Sequence, residues 1–467
     1  MTTIICTLLT AIGFYFSIGL GDQWWLAWLA PIPVLWLAFG DTKAWIAFLA
    51  SFAALALGAS NILRAYAGLL PTPVLILAIG APALTFAVSV IGARRVQRTF
   101  GSVAAMIAFA ALWTAFDFLA SFSRGGGSVG TPAAAEVGAP FLIQSAALVG
   151  YLGVTFLLGA VSAGLALSLR TRDPVPASLA VVLFAANAAY GYWRVSEPPA
   201  STLHVALIDS NDAVGKFGKN DRGATFKAID AYAAEIAKLG NAHVQLIVLP
   251  ENISRVAPEW RAEAQAKLAS AAAPTGATLV AGFNTFVDGA QRNVSWAFTA
   301  GQPTPVTYEK RRLVPVLETA VYTPGPGPRV LSNGVGLEIC KDMDFQAMIR
   351  QDEVATHPAL LAVPAWDFDK DDWSHARIAV LRSVENGVPM ARSARDGLLT
   401  LNDRYGRLVG AVRTVGGFKT LVGDLPLAGR GGDTLYDRIG DLLGWICIAL
   451  GLGLVGGAIM RGTKAAS

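Results

Sequence analysis

At 467 residues, 54% hydrophobic, 15% charged and with a mean hydropathy of +0.48, this chain has too much apolar sequence for an ordinary soluble protein. Its net charge of +4 is too small to mark a nucleic-acid-binding surface, so no nucleic-acid partner is expected. Neither the four histidines nor the three cysteines fall at metal-ligand spacings, and no glycine loop suited to cradling phosphate appears, so no metal or cofactor is expected.

Apolar runs of the length needed to cross a bilayer core lie near residues 4–21, 24–40, 43–62, 70–92, 101–121, 141–168 and 175–194, with one more at 439–460. The pattern predicts seven spans plus one. The first run is weakly basic at its start and continues directly into more apolar sequence, which fits a retained span rather than a cleaved signal. Arg94, Arg95 and Arg98 follow the fourth run, Arg170 and Arg172 the sixth, and Arg461 and Lys464 the last. All three basic clusters share one side if the amino terminus is also there, and the positive-inside rule makes that side the cytoplasm. The expected organisation is a seven-span domain over 1–195, an extracytoplasmic domain over 196–438, and a final transmembrane helix with a cytoplasmic tail over 439–467. Asp117, inside the fifth run, is costly in lipid and is expected near a span end or facing the bundle.

Ser196, Glu197, Pro198 and Pro199 form a short linker into more polar sequence. There, β-rich runs at 203–209, 244–250, 277–283, 294–300, 335–339, 359–365, 388–394 and 398–402 alternate with helical patterns at 221–240, 258–273, 343–353 and 373–386. This alternation predicts one α/β domain with its own core.

Three strand ends in that domain carry chemistry. LIVLPE ends in Glu251, VTYEK in Lys310, and VGLEI leads into Cys340, the only cysteine outside the apolar runs. A cysteine acyl-transfer site needs a nucleophile, a base and a charge-stabilising donor. Cys340 suits the first role, Glu251 the second and Lys310 the third, with the ammonium also expected to lower the thiol pKa. The N–H of Lys341 is a further candidate donor. Glu318, eight residues past Lys310, is placed to hold the lysine or the proton of a leaving group. Trp366, Phe368 and Trp373 among aspartates read either as a mobile amphipathic lid or as an anchored surface loop. His375 is expected to pack or cap a helix, and Arg382 and Glu385 to form an i,i+3 pair.

The order Glu, Lys, Cys, embedded as LPEN, YEKRRLVP and EICKD, resembles the nitrilase (carbon–nitrogen hydrolase) superfamily. The stretches WLAWLAPIPVLWLA (25–38), IQSAALVGYLGVTFLLG (143–159), KRRLVPVLE (310–318), HARIAVLRSVENGVPMARSARDGLLTLNDRYGRL (375–408) and GDTLYDRIGD (432–441) resemble the membrane-embedded apolipoprotein N-acyltransferases of that superfamily. The resemblance implies a multi-span α-helical membrane domain plus an α/β nitrilase-type αββα sandwich, on the outer face of a bacterial inner membrane. It implies catalytic roles for Glu251 as base, Lys310 as oxyanion lysine, Cys340 as nucleophile and Glu318 in support. The implied reaction moves a fatty acyl group from a phospholipid, through a thioester on Cys340, to the amine of a lipoprotein acceptor. A membrane-anchored amidohydrolase acting on another substrate is the alternative. The chain departs from the family directly after the nucleophile, where Lys341 and Asp342 replace Tyr-Glu. That change removes an aromatic wall and is expected to place a charge next to the thiol.

Overall fold

The computed structural model describes all residues except 124, 213–220, 241, 301, 303, 428–433 and 465–467, so Gly432 and Asp433 of the last motif lie outside the described residues. The chain divides into two compact units, Met1–Ser196 with Arg438–Ser467, and Glu197–Asp437.

The first unit is helical. Among the described residues, six helices are long and apolar enough to cross a membrane: Ala44–Tyr66, Thr72–Phe100, Ser102–Ser121, Tyr151–Thr171, Val175–Val195 and Leu442–Gly462. Six of the eight expected runs thus contain such a helix, and the runs at 4–21 and 24–40 form shorter apolar helices. The run at 24–40 is two short helices, Trp24–Leu29 and Ile32–Ala38, because Pro31 and Pro33 cannot continue a helix from the turn before them. The first helix, Thr2–Ser17, has 16 residues, and at 1.5 Å per residue it falls short of a bilayer core. The run at 141–168 is broken at Gly150, whose φ of +75° a side chain would resist. Large apolar side chains such as Leu77 and Leu452, each 68% exposed, cover the outside of this unit, as a surface solvated by lipid requires. Polar groups turn inward. Asp117 Oδ2 accepts from Thr131 Oγ1 at 2.8 Å and Thr155 Oγ1 at 2.7 Å, and the Trp28 indole donates to Glu136 at 2.7 Å.

Among the described residues, the second unit is built on thirteen strands: β1 Ser201–Asp209, β2 Leu246–Val248, β3 Arg255–Val256, β4 Thr278–Val287, β5 Ala290–Phe298, β6 Val306–Glu309, β7 Arg329–Val330, β8 Val335–Leu337, β9 Leu360–Trp366, β10 Met390–Arg395, β11 Leu398–Asn402, β12 Leu408–Arg413 and β13 Lys419–Leu427. One sheet runs β13-β1-β2-β4-β5-β6, with β3 beside β4, and the other runs β12-β11-β10-β9-β8-β7. The two-residue period of a strand sorts the side chains into layers. Val205, Leu207 and Val248 meet Leu337, Ala362, Ala391 and Leu401 of the opposite sheet in one core. The alternate residues Ala206, Ile208 and Leu279 pack outward on Ile229, Tyr232 and Leu268 from helices Arg222–Lys238 and Pro258–Ala272. Leu361, Val363 and Met390 do the same on the far side with Ile349 and Ala379 from helices Gln346–Thr356 and Asp372–Asn386. Three stacked cores separate four layers, helix, sheet, sheet, helix. This is the αββα sandwich.

Candidate active site

Glu251 lies three residues past the end of β2 and is tied across the sandwich by its N–H, which donates to the Ala365 carbonyl at 3.2 Å. Its Cα passes so close to Gly282 that a Cβ there would come within 2.6 Å of Glu251 Cα and Pro250 O. Only glycine allows that approach. Lys310 follows β6, where its N–H donates to Asn293 O at 2.9 Å. Cys340 leaves β8 at a φ of +44°, a left-handed conformation that costs a residue with a Cβ of order 1–3 kcal/mol. The turn that follows, Cys340–Asp344, is a single 3-10 stretch. The thiol is only partly buried, and its nearest hydrogen-bond acceptor is the Trp366 carbonyl at 3.5 Å.

Lys310 lies buried between two carboxylates. Its Nζ donates to Glu251 Oε1 at 2.7 Å and to Glu318 Oε1 at 2.9 Å. Asn293 Nδ2 bridges the same two oxygens at 2.6 and 3.0 Å, and the Val314 N–H fixes the other oxygen of Glu318 at 2.8 Å. Burial works to discharge Lys310, but Glu251 and Glu318 outweigh it and keep the ammonium charged far above neutral pH. Burial pushes the Glu251 carboxyl up, against the pull of Lys310. Two of the three N–H groups of the ammonium donate to these carboxylates.

Burial and the Glu251 carboxylate push the Cys340 pKa well above its ordinary value, and the Lys310 ammonium, as expected, pulls it down but is outweighed. The ammonium of Lys341 donates to Asp344 Oδ2 at 3.0 Å in a buried i,i+3 pair.

Asp342 has a role that sequence reasoning did not reach. Its carboxylate is fully buried and accepts from the N–H groups of Arg311 at 3.2 Å, Arg312 at 2.8 Å and Ile339 at 3.1 Å, and from the Tyr308 hydroxyl at 2.8 Å. It therefore staples the residues just after Lys310 to the residue just before Cys340. The only signal in the sequence was an acidic residue two positions past the cysteine. Asn293, which holds both glutamates, carried no signal at all.

The aromatic segment is anchored by its own side chains and its turn. The Trp366 indole donates to Asp396 at 2.7 Å, Phe368 packs edge-on against His375 at 5.9 Å between ring centres, and the Phe368 N–H donates to Asp371 at 2.9 Å. His375 Nδ1 lies 2.9 Å from Asp371, and the Arg382–Glu385 pair forms at 3.0 Å, fully buried. Among the described residues no cluster of ligands suited to a metal ion is found.

Four layers with these strand orders make the second unit an αββα sandwich, in one chain with a bundle of membrane-length helices. Residues 8–164 match the family described as the apolipoprotein N-acyltransferase N-terminal domain. An apolipoprotein N-acyltransferase of Geobacter metallireducens is 24% identical over 91% of this chain and 89% of its own length. One from Brucella melitensis is 26% identical over 58% of each chain. Among solved structures, an amidase from Nesterenkonia sp. superposes with a TM-score of 0.41 at 22% identity, over 52% of this chain and 96% of its own. The chain is thus similar along most of its length to the apolipoprotein N-acyltransferases.

Proposed function

We propose that this protein is a membrane N-acyltransferase that carries a fatty acyl group on Cys340 and delivers it to the N-terminal amine of a lipoprotein. The observation that carries the proposal is the ammonium of Lys310, held by Glu251 and Glu318 and acting together with Glu251 on the thiol at the left-handed turn after β8. The relatives named for this activity, matched along most of the chain, support it.

In the first half-reaction Glu251 takes the thiol proton as sulfur attacks the ester carbonyl of a phospholipid. The elevated pKa of Glu251 brings it toward the range where it both accepts and returns a proton. The tetrahedral oxyanion forms against the remaining N–H of Lys310, and one such donor is worth about 2.7–4 kcal/mol in the transition state. Collapse breaks the ester C–O bond, Glu251 protonates the departing alkoxide, and lysophospholipid leaves. In the second half-reaction the acceptor amine attacks the thioester and gives its proton to Glu251. Cys340 departs as the thiolate and regains the proton, leaving an amide. Both substrates are lipid-anchored, because each buried acyl CH₂ is worth about 0.8 kcal/mol, so a membrane-borne enzyme with its catalytic unit on the outer side of the inner membrane meets them there.

The acceptor is tested by isolating the acyl-enzyme and adding a synthetic diacylglyceryl-cysteine peptide. A free α-amine should discharge the enzyme and yield the N-acyl peptide, and an N-acetylated control should not. Discharge to water at one rate with or without peptide would favour the amidohydrolase instead.

A further inference from the structure

Trp366 ends β9, and its carbonyl is the acceptor that faces the Cys340 thiol at 3.5 Å. Its side chain is held from the next strand. β9 and β10 run parallel with Trp366 opposite Arg395, and the guanidinium carbon of Arg395 lies 4.0 Å from the centre of the indole ring. The following residue, Asp396, takes the indole N–H at 2.7 Å. A hydrogen bond to a carboxylate is among the stronger ones, and a cation over tryptophan is the most favourable aromatic pairing.

The same two residues are fixed in turn. Asp396 has a φ of +50°, donates its N–H to Asn211 Oδ1 at 3.1 Å, and its carbonyl accepts from the Asp369 N–H at 2.7 Å. Arg395 reaches the other way, donating from Nη1 to the carbonyl of Asn252 at 3.3 Å. Asn252 is the neighbour of Glu251. One dipeptide therefore touches both the residue whose carbonyl orients the thiol and the residue that follows the base.

We propose that Arg395 and Asp396 are positioning residues that clamp Trp366, and through its carbonyl select the rotamer in which the Cys340 thiol faces its base and its substrate. The inference rests on the reading of Cys340 as the nucleophile. It assigns the clamp no contact with substrate.

The test is the second-order rate at which iodoacetamide alkylates Cys340 in the full chain in detergent, followed by peptide mass. Asp396→Ala should slow alkylation about tenfold, the upper range for one lost hydrogen bond. Asp396→Asn keeps an oxygen for the indole and should restore most of the rate. Trp366→Phe should also slow it, and adding Asp396→Ala to that variant should change nothing further, because the two act through one bond. A rate for Asp396→Ala equal to the parent, or losses that add in the double variant, would overturn the clamp. Failure of Asn to rescue would also count against it. If Cys340 in the parent protein reacts no faster than Cys6 or Cys447, the nucleophile reading itself fails and the clamp falls with it.

Discussion

Replacing Asp342 with asparagine probes how the lysine and the cysteine are kept in register. All four groups around the carboxylate are donors: three backbone N–H groups and the Tyr308 hydroxyl. An asparagine can keep its one oxygen on Arg311 and Arg312. Its amide then faces Ile339 and Tyr308. The tyrosine can adapt, since Glu338 Oε2 lies 2.7 Å from its hydroxyl and can take the proton while the oxygen accepts. The Ile339 N–H has no such freedom and is left buried against another donor, at a cost of about 1–3 kcal/mol. For a unit of this size that corresponds to a fall in thermal midpoint of about 2–12 °C. A shift of about 1 Å in the position of Cys340 relative to Lys310 would slow acylation on the order of 100-fold. The assay is differential scanning fluorimetry of the full chain in detergent, with the rate of Cys340 acylation measured alongside by intact mass. If Asp342→Asn leaves both the midpoint and the rate unchanged, the staple does not hold the site.

Gly282→Ala should displace Glu251, because the new Cβ would lie 2.6 Å from the Glu251 Cα. Acylation should fall at least tenfold, and a parent-like rate would show that the backbone yields there without cost. His375 gives a pH test. Burial lowers its pKa, but Asp371 and its neighbours outweigh that and raise it from 6.5 to about 9. The charged imidazole thus stabilises the fold fully below about pH 6.5, and the benefit is lost as pH rises through about 9. The contribution is on the order of 3 kcal/mol, so the thermal midpoint should drop between those pH values and His375→Gln should flatten the drop. An identical pH slope in the variant would contradict the assignment.

Much of the fold was legible because each element repeats a local rule. The strand ends at Glu251, Lys310 and Cys340 follow apolar β-branched runs, and helices Arg222–Lys238 and Asp372–Asn386 follow their apolar period closely. What was missed depends on distant partners. β12 and the first half of β13 have no fully buried position, so no apolar core face marks them, and β13 is recruited by antiparallel pairing with β1 more than two hundred residues earlier. The same holds within the site. Glu318 could be suggested from its spacing to Lys310, but Asn293 and Asp342 matter through bonds between separate strands and turns. The rise in the Cys340 pKa likewise comes first from burial, which no spacing of charges along the chain discloses. In the helical unit, hydropathy does not register where Pro31 and Gly150 interrupt a helix.

The most direct test of the account is the intact mass of the protein after incubation with phospholipid vesicles. The account predicts a gain of one fatty acyl group, mapped to Cys340, discharged by hydroxylamine and absent from Cys340→Ala. An adduct that persists in Cys340→Ala, or a parent protein that takes up no acyl group while remaining folded, would contradict it.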